Sequence, residues 1–130
     1  MSGRRAQELD LACIKTLSKS ELIDQKEFNG VIALKNIFGA DKRELTASFS
    51  IRGSDVKADV DVTWYEARAS NESRSEFRFY YEPNYIMNNA QPGDNIVIGF
   101  NRSGKLQCIL FKNGSEEHQG EYLSWATYLA

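Results

Sequence analysis

What this chain lacks narrows its chemistry before any motif is considered. One histidine, two cysteines and two prolines occur among 130 residues. A single imidazole with no CxxC pair leaves no set of zinc ligands. No Ser/His/Asp triad can be assembled without that same His118, which lies in Ser-Glu-Glu-His-Gln-Gly, the sequence of a solvated turn or cap. None of the nine glycines falls in a GxGxxG or Walker pattern, which excludes a glycine-rich phosphate loop. Excess charge is missing too. Sixteen Lys and Arg against eighteen Asp and Glu give a net charge of −2, which argues against a general polyanion coat, since such proteins depend on surplus positive charge. It leaves room for a specific reader built on a local cluster, because acidic neighbours weaken attachment to wrong and right sequences alike. No apolar run reaches the length of a membrane span, and the opening Met-Ser-Gly-Arg-Arg-Ala-Gln has no apolar run behind its arginines. A soluble, intracellular protein is expected. Cys13 and Cys108 sit in stretches that read as buried strand and are expected to be free core thiols.

What is present is a series of short strands separated by turn signals, the pattern of a sandwich or barrel. Residues 11–17 read as a first strand. A polar stretch, residues 18–29, gives way at Gly30 to Val31, Ile32, Ala33 and Leu34, which fit a second buried strand. Residues 35–38 suggest one helical turn stopped by Gly39. Residues 44–52 alternate, with Leu45, Ala47, Phe49 and Ile51 on one side. Gly53-Ser54-Asp55, Pro92-Gly93-Asp94, Arg102-Ser103-Gly104 and Asn113-Gly114 are turns, and they bound strands at residues 95–100 and 106–111. Near the end, Tyr122, Trp125 and Leu129 fall at spacings of three and four, so residues 121–130 are expected to form a short helix with one apolar side, docked on the barrel or leading to a further domain. The expected organisation is a disordered or loosely ordered N-terminus at 1–10, a mainly β barrel with one or two short helices at 11–114, and a C-terminal helix or linker at 115–130.

The strongest pattern lies on the even-numbered positions from 56 to 78. Val56, Ala58, Val60, Val62 and Trp64 are apolar; Glu66, Arg68, Glu72, Arg74, Glu76 and Arg78 are charged. Strand side chains alternate faces with period two. A ribbon that keeps its phase would therefore carry its buried face out of the core into a face of both charge signs, and would project from the body. Its tip is expected at Ser70-Asn71-Glu72-Ser73, where Ser and Asn favour turns. Opposite charges across a hairpin are a common surface decoration, contributing about 0.2–1 kcal/mol per pair. The same residues suit a DNA major groove, where Arg grips guanine O6 and N7 and Glu accepts from cytosine N4, each good pair giving about 1–3 kcal/mol of discrimination. Residues 18–29 form a second polar insertion, too long for a tight turn and of a length that is often functional. A metal-dependent nuclease centre is not complete: Asp59 and Asp61 precede Glu66-Ala67-Arg68, but no lysine follows in the place that an acid-x-Lys motif requires.

Taken in order, Ile14-Lys15-Thr16-Leu17-Ser18, Asn29-Gly30-Val31-Ile32-Ala33, Arg43-Glu44-Leu45, Trp64-Tyr65-Glu66-Ala67-Arg68 and Arg74-Ser75-Glu76-Phe77-Arg78 resemble the N-terminal effector-binding domain of EcoRII-type restriction endonucleases. That domain belongs with the plant B-three DNA-binding proteins. The similarity spans residues 14–111 and rests on the ordered series, since no single motif is strong. It implies a seven-stranded open β pseudobarrel whose two projecting arms clamp the major groove of double-stranded DNA. The arms would correspond to residues 18–29 and 65–78. On the second arm the base-reading cluster would be Arg74, Glu76 and Arg78, with Arg68 beside them and Asn71 near the tip. Lys19, Gln25, Lys26 and Asn29 would approach from the first arm, and Lys35 and Asn36, expected at the start of a short helix, would meet a backbone phosphate. Two departures bear on the recognised sequence: Phe77 stands where the family has a basic residue, and Glu27 lies near the place of a first-arm histidine. The resemblance implies a non-catalytic recognition module of a bacterial, cytoplasmic restriction enzyme. It implies no cofactor, with Mg2+ belonging only to a separate nuclease domain. The residues alone leave another class open, a small barrel binding a protein or peptide through Phe77, Phe79, Tyr80, Tyr81 and Tyr85, although Phe77 and Phe79 read more simply as core.

Overall fold

The computed structural model describes residues 9–25, 27–30, 32–66, 77–116 and 118–128, and only the backbone of residues 10, 23–25, 27–30 and 32. Among the described residues eight strands form one sheet: β1 (Leu9–Thr16), β2 (Glu27–Gly30), β3 (Arg43–Ile51), β4 (Lys57–Glu66), β5 (Phe77–Tyr81), β6 (Asn95–Asn101), β7 (Leu106–Phe111) and the two-residue β8 (Ala126–Thr127). Their order is β2-β5-β4-β3-β7-β6-β1-β8. Neighbours are antiparallel except β3 and β7, which run parallel. β1 and β2, consecutive in sequence, thus stand far apart in the array, and the sheet curls into an open half-barrel. The mainly β, seven-stranded open barrel is the observed architecture, with β8 appended at one margin.

Two short helices close it. α1 (Ile32–Phe38) packs against β1 and β2, bridging the gap between the margins. α2 (Tyr85–Asn88) packs against β3 and β4 and starts at Asn84, whose Oδ1 accepts from the Met87 N–H at 2.9 Å. The main core joins Leu34 and Phe38 of α1 to Phe49, Val60, Val62, Trp64, Phe79, Ile96, Ile98 and Leu110 of the sheet. A smaller cluster on the other face, Ala12, Ile14, Val97, Ile109 and Phe111, is covered by Tyr122, Ala126 and Tyr128. Gly99 marks where β6 and β1 come closest: a Cβ there would lie 2.6 Å from the Leu11 carbonyl oxygen, beside the irregularity in the β1–β6 register. Among the described residues no helix is long and apolar enough to cross a membrane. Cys13 and Cys108 are free and buried.

Four expectations are corrected. Ile32, Ala33 and Leu34 belong to a helix and not to a strand, while Val31 lies outside the described residues. Ala33, Leu34, Ile37 and Phe38 fall three and four apart and all pack on the core, a helical stripe. The sheet takes its next strand from Glu27–Gly30, the end of the polar stretch. Gly39 does stop the helix, with φ +89° and its N–H bonded to the Lys35 carbonyl at 2.7 Å.

Among the described residues the C-terminal segment, up to Tyr128, is no helix. It runs extended along β1, pairing Ala126 with Ile14 and Thr127 with Cys13, and the Tyr128 N–H donates to the Ala12 carbonyl at 2.9 Å. The margin of β1 would otherwise be a row of unpaired backbone groups. Alternation then sends Trp125 into the main core and Tyr122, Ala126 and Tyr128 onto the smaller one.

Phase is not kept along the ribbon. Trp64 pairs with Phe79, Tyr65 with Arg78 and Glu66 with Phe77, so even positions on β4 share a face with odd positions on β5. Phe77, Phe79 and Tyr81 are buried beside Val62 and Trp64, and Arg78 is left on the face opposite to Glu66. Burying three aromatic rings outweighs any pairing that would keep the charges on one face. Finally, Lys35 and Asn36 lie in the middle of α1 and not at its start, so the free N–H groups of a helix N-terminus are not theirs to share.

Candidate nucleic-acid interface

The first insertion is rooted in polar contacts. Ser18 and Glu21 form a capping box: the Glu21 N–H donates to Ser18 Oγ at 3.3 Å, and Glu21 Oε1 accepts from the Ser18 N–H at 3.0 Å and from its hydroxyl at 3.1 Å. The box opens a helical segment, Ser20–Gln25, whose Leu22 leans on the core. Glu21 is 9% exposed and also accepts from Lys15 Nζ at 2.8 Å, which ties the insertion to β1. Lys15 Nζ donates in addition to the Thr16 carbonyl at 3.1 Å. Lys19 is exposed at the start of this segment. The side chain of Gln25 and all of Lys26 lie outside the described residues.

An aromatic column roots the second insertion. Trp64, two residues before the end of β4, and Phe77, the first residue of β5, stack at 5.1 Å with 15° between their planes. Phe38 lies 5.1 Å from Trp64 on α1, and the Trp64 indole N–H donates to the Gly39 carbonyl at 2.9 Å. Lys35 Nζ stands over the Phe77 ring, 5.1 Å from its centre, so this exposed lysine sits at the base of the insertion. Arg68, Asn71, Arg74 and Glu76 lie outside the described residues.

Along the strands the insertions open at opposite ends of the ladder. The first leaves β1 beyond Thr16, which pairs with Asn95 at the start of β6; the second leaves β4 beyond Glu66, past the Arg43–Trp64 pair that begins β3. β2 brings them together. Its pairing with β5 sets Asn29 opposite Arg78, Glu27 opposite Tyr80 and Gly30 opposite Phe77, so the return limb of the first insertion runs along the return limb of the second. Two of the expected reading residues thereby become cross-strand neighbours, with Tyr65 on the far side of Arg78.

Beside this edge the sheet surface is acidic. Glu44, Asp61 and Glu82, with Thr46 and Thr63, line an open cleft of about 430 Å3. Asp59 is exposed on the same strand and meets Lys105 at 3.4 Å, while Asp61 accepts from the Thr46 hydroxyl at 3.2 Å. Glu44 is met by Lys42 at 3.4 Å, as Asp59 is by Lys105, so the negative charge that disfavours a polyanion here rests on Asp61 and Glu82. A second cleft of about 460 Å3 lies at the base of the second insertion, bordered by Asp41, Lys42, Thr63, Tyr65, Glu66 and Phe77.

Burial holds the two thiols and the Tyr81 phenol in their protonated forms near neutrality. Desolvation pushes the Cys13 thiol up to about 11 and raises Cys108 further, so neither supplies a thiolate near neutrality. Burial, with the Glu21 charge second, pushes the Tyr81 phenol up to about 12. His118 is not a freely solvated turn residue: its Nε2 meets the Gly93 carbonyl at 2.7 Å and its Nδ1 accepts from the Gly120 N–H at 3.2 Å. With Nδ1 accepting, the bond to the Gly93 carbonyl is one that Nε2 donates. Thr16 escaped the sequence reading because its partners are distant in the chain, and Lys15 because its partner Glu21, six residues on, lies across the turn out of β1, whereas Ser18 and Glu21 carried a legible S-x-x-E signature. No family model, no curated protein and no solved structure matches this chain.

Proposed function

We propose that this chain reads double-stranded DNA through the major groove with its two polar insertions, as the recognition module of a bacterial, cytoplasmic restriction endonuclease whose nuclease domain lies elsewhere. The observation that carries this reading is the β2–β5 ladder, which sets Asn29 opposite Arg78 and joins both insertions along one sheet edge. Arg68, Arg74, Glu76 and Arg78 read base edges from the second insertion, with Asn71 near its tip. Lys19, Gln25, Lys26 and Asn29 approach from the first. Lys35, held over Phe77, and Asn36 meet a phosphate through side-chain charge and hydrogen bonding, not through a helix end. The acidic face around Asp61 and Glu82 disfavours a duplex laid across the sheet and so supports contact at the insertions. Binding of this kind requires no metal; Mg2+ would serve only the separate nuclease.

A protein-binding barrel draws less support, because Phe77, Phe79 and Tyr81 of its aromatic surface are buried, Tyr80 is half-buried and only Tyr85 of the five is exposed, at 61%. Selection from a pool of random duplexes tests the reading, with the bound sequences read out and the affinity of the winner followed against salt. A single enriched site and a steep loss of affinity with salt are expected. A pool that emerges unenriched, or binding indifferent to salt, would remove the proposal.

A further inference from the structure

Outside both insertions, one side chain bonds to the C-terminal strap, residues 118–128, while its own carbonyl receives the lysine that anchors the first insertion. Thr16 is the last residue of β1. Its N–H donates to the Tyr122 carbonyl at 2.9 Å. Its hydroxyl donates to the Gly120 carbonyl at 3.2 Å and accepts from the Tyr122 N–H at 2.8 Å and from Asn95 Nδ2 at 3.0 Å. Asn95, fully buried at 0% exposure, reinforces the junction, donating to the Gly120 carbonyl at 2.9 Å and accepting from the Gln119 N–H at 2.7 Å. On the other side the Thr16 carbonyl receives Lys15 Nζ, which also holds Glu21. An unbroken chain of hydrogen bonds therefore runs from Gly120 through Thr16 and Lys15 to Glu21 and Ser18.

The next residue strengthens the link. The Leu17 N–H donates to the Asp94 carbonyl at 2.8 Å, and the Leu17 carbonyl accepts from the Gly93 N–H at 3.0 Å. Gly93 in turn offers its carbonyl to His118 of the strap. The peptide units on either side of Thr16 are thus fixed by the strap and by the turn beneath it. If the strap lets go, the Lys15–Thr16 peptide unit loses its bond to Tyr122, and the Gly93–Asp94 turn that holds the Thr16–Leu17 unit loses His118, so the backbone that aims Lys15 at the Thr16 carbonyl and Glu21 is less firmly held. Because the Glu21 carboxylate is buried, the insertion cannot replace that cation with water at no cost.

We propose that Thr16 is a positioning residue for the first insertion, setting its direction according to whether the C-terminal strap is seated. What the insertion does once positioned rests on the DNA-reading proposal above; the coupling itself is tested without DNA. The property that defines such coupling is reciprocity: a change at either end must be felt at the other.

Amide hydrogen exchange on the whole chain, at residues 18–25 and 119–122 with β3 and β7 as references, reads both ends. Thr16→Val keeps the β-branched shape and removes the hydroxyl. It is expected to speed exchange about tenfold at both ends, the equivalent of one or two lost hydrogen bonds, and Thr16→Ser is expected to restore both. Glu21→Gln, made at the insertion, is expected to speed exchange at 119–122 as well, and it serves as the second test should Thr16→Val not fold. Strap exchange rising in Thr16→Val with 18–25 unchanged, or Glu21→Gln confined to 18–25, overturns the coupling. On the selected duplex, Thr16→Val is expected to bind about tenfold more weakly while random duplexes are bound as by the parent. Coupled exchange with unaltered affinity for the selected duplex overturns the positioning role in reading. A parent that enriches no sequence removes the DNA reading, and the exchange pair still decides the coupling.

Discussion

The first insertion is rooted in charge and the second in aromatic surface. At the first root a buried ion pair and a capping box, Lys15, Glu21 and Ser18, hold the chain by directed bonds. At the second, Trp64, Phe77 and Phe38 stack into the same core that stabilises the barrel. Directed bonds fix orientation with little contact area, whereas stacked rings supply area with looser direction. The second root is therefore inseparable from global stability, while the first can loosen with the barrel intact.

Truncation of Trp64 should break that comparison most severely. Trp64 is 1% exposed and touches both Phe38 and Phe77, so Trp64→Ala should lower unfolding stability by about 3–5 kcal/mol. Urea unfolding followed by circular dichroism measures it. A loss comparable to that from a surface substitution would mean that the aromatic column belongs to the insertion alone.

Next in size is the reading chemistry itself. Arg78→Ala should weaken binding to the selected duplex by about 1–3 kcal/mol and relax preference at one base position. Titration against a set of single-base variants of the site would reveal both. Unchanged affinity and unchanged preference would leave Arg78 as a surface cation opposite Asn29 and Tyr65.

How far this was legible in the sequence follows from the range of the interactions. β3, β6 and β7 could be read because they alternate or fill with apolar residues between glycine turns, a property of each strand by itself. The helix at Ile32–Phe38 was misread because a four-residue apolar run satisfies either period, and only Ile37 and Phe38, further along, complete a helical stripe. Tyr122 and Trp125 likewise suit a helix or an edge strand, and the unpaired margin of β1 decides between them. The Glu/Arg series was visible, but the number of residues that a hairpin tip consumes decides its parity, and no local propensity encodes that. Thr16 carried no signal, since Gly120 and Tyr122 lie more than a hundred residues downstream.

A milder change sharpens the contrast from the polar side. Ser18→Ala removes one half of the capping box while sparing the Lys15–Glu21 pair, and should lower stability by about 0.5–2 kcal/mol. Amide exchange at 18–25 should rise more than exchange in β6 or β7. A uniform rise across the barrel would show that the first root, like the second, cannot loosen separately.

The smallest effect near neutrality, and the most selective, belongs to Tyr81. Its phenol is raised to about 12, first by burial and then by the Glu21 charge, from an ordinary value of about 10. A raised value in the folded state means that folding favours the protonated phenol. That contribution is complete below about pH 10 and is lost as pH climbs through about 12. Tyr81→Phe should change neutral stability by only about 0.5–1.5 kcal/mol while removing this share of the alkaline loss. Cys13, raised to about 11, remains in both proteins and cancels in the comparison. Because Glu21 is the second cause, Glu21→Gln should let tyrosinate absorbance appear at lower pH than in the parent. If the tyrosine titration is the same in both, the carboxylate that anchors the first insertion does not stand close enough to Tyr81 to influence it, and the first root is less buried than its hydrogen bonds imply.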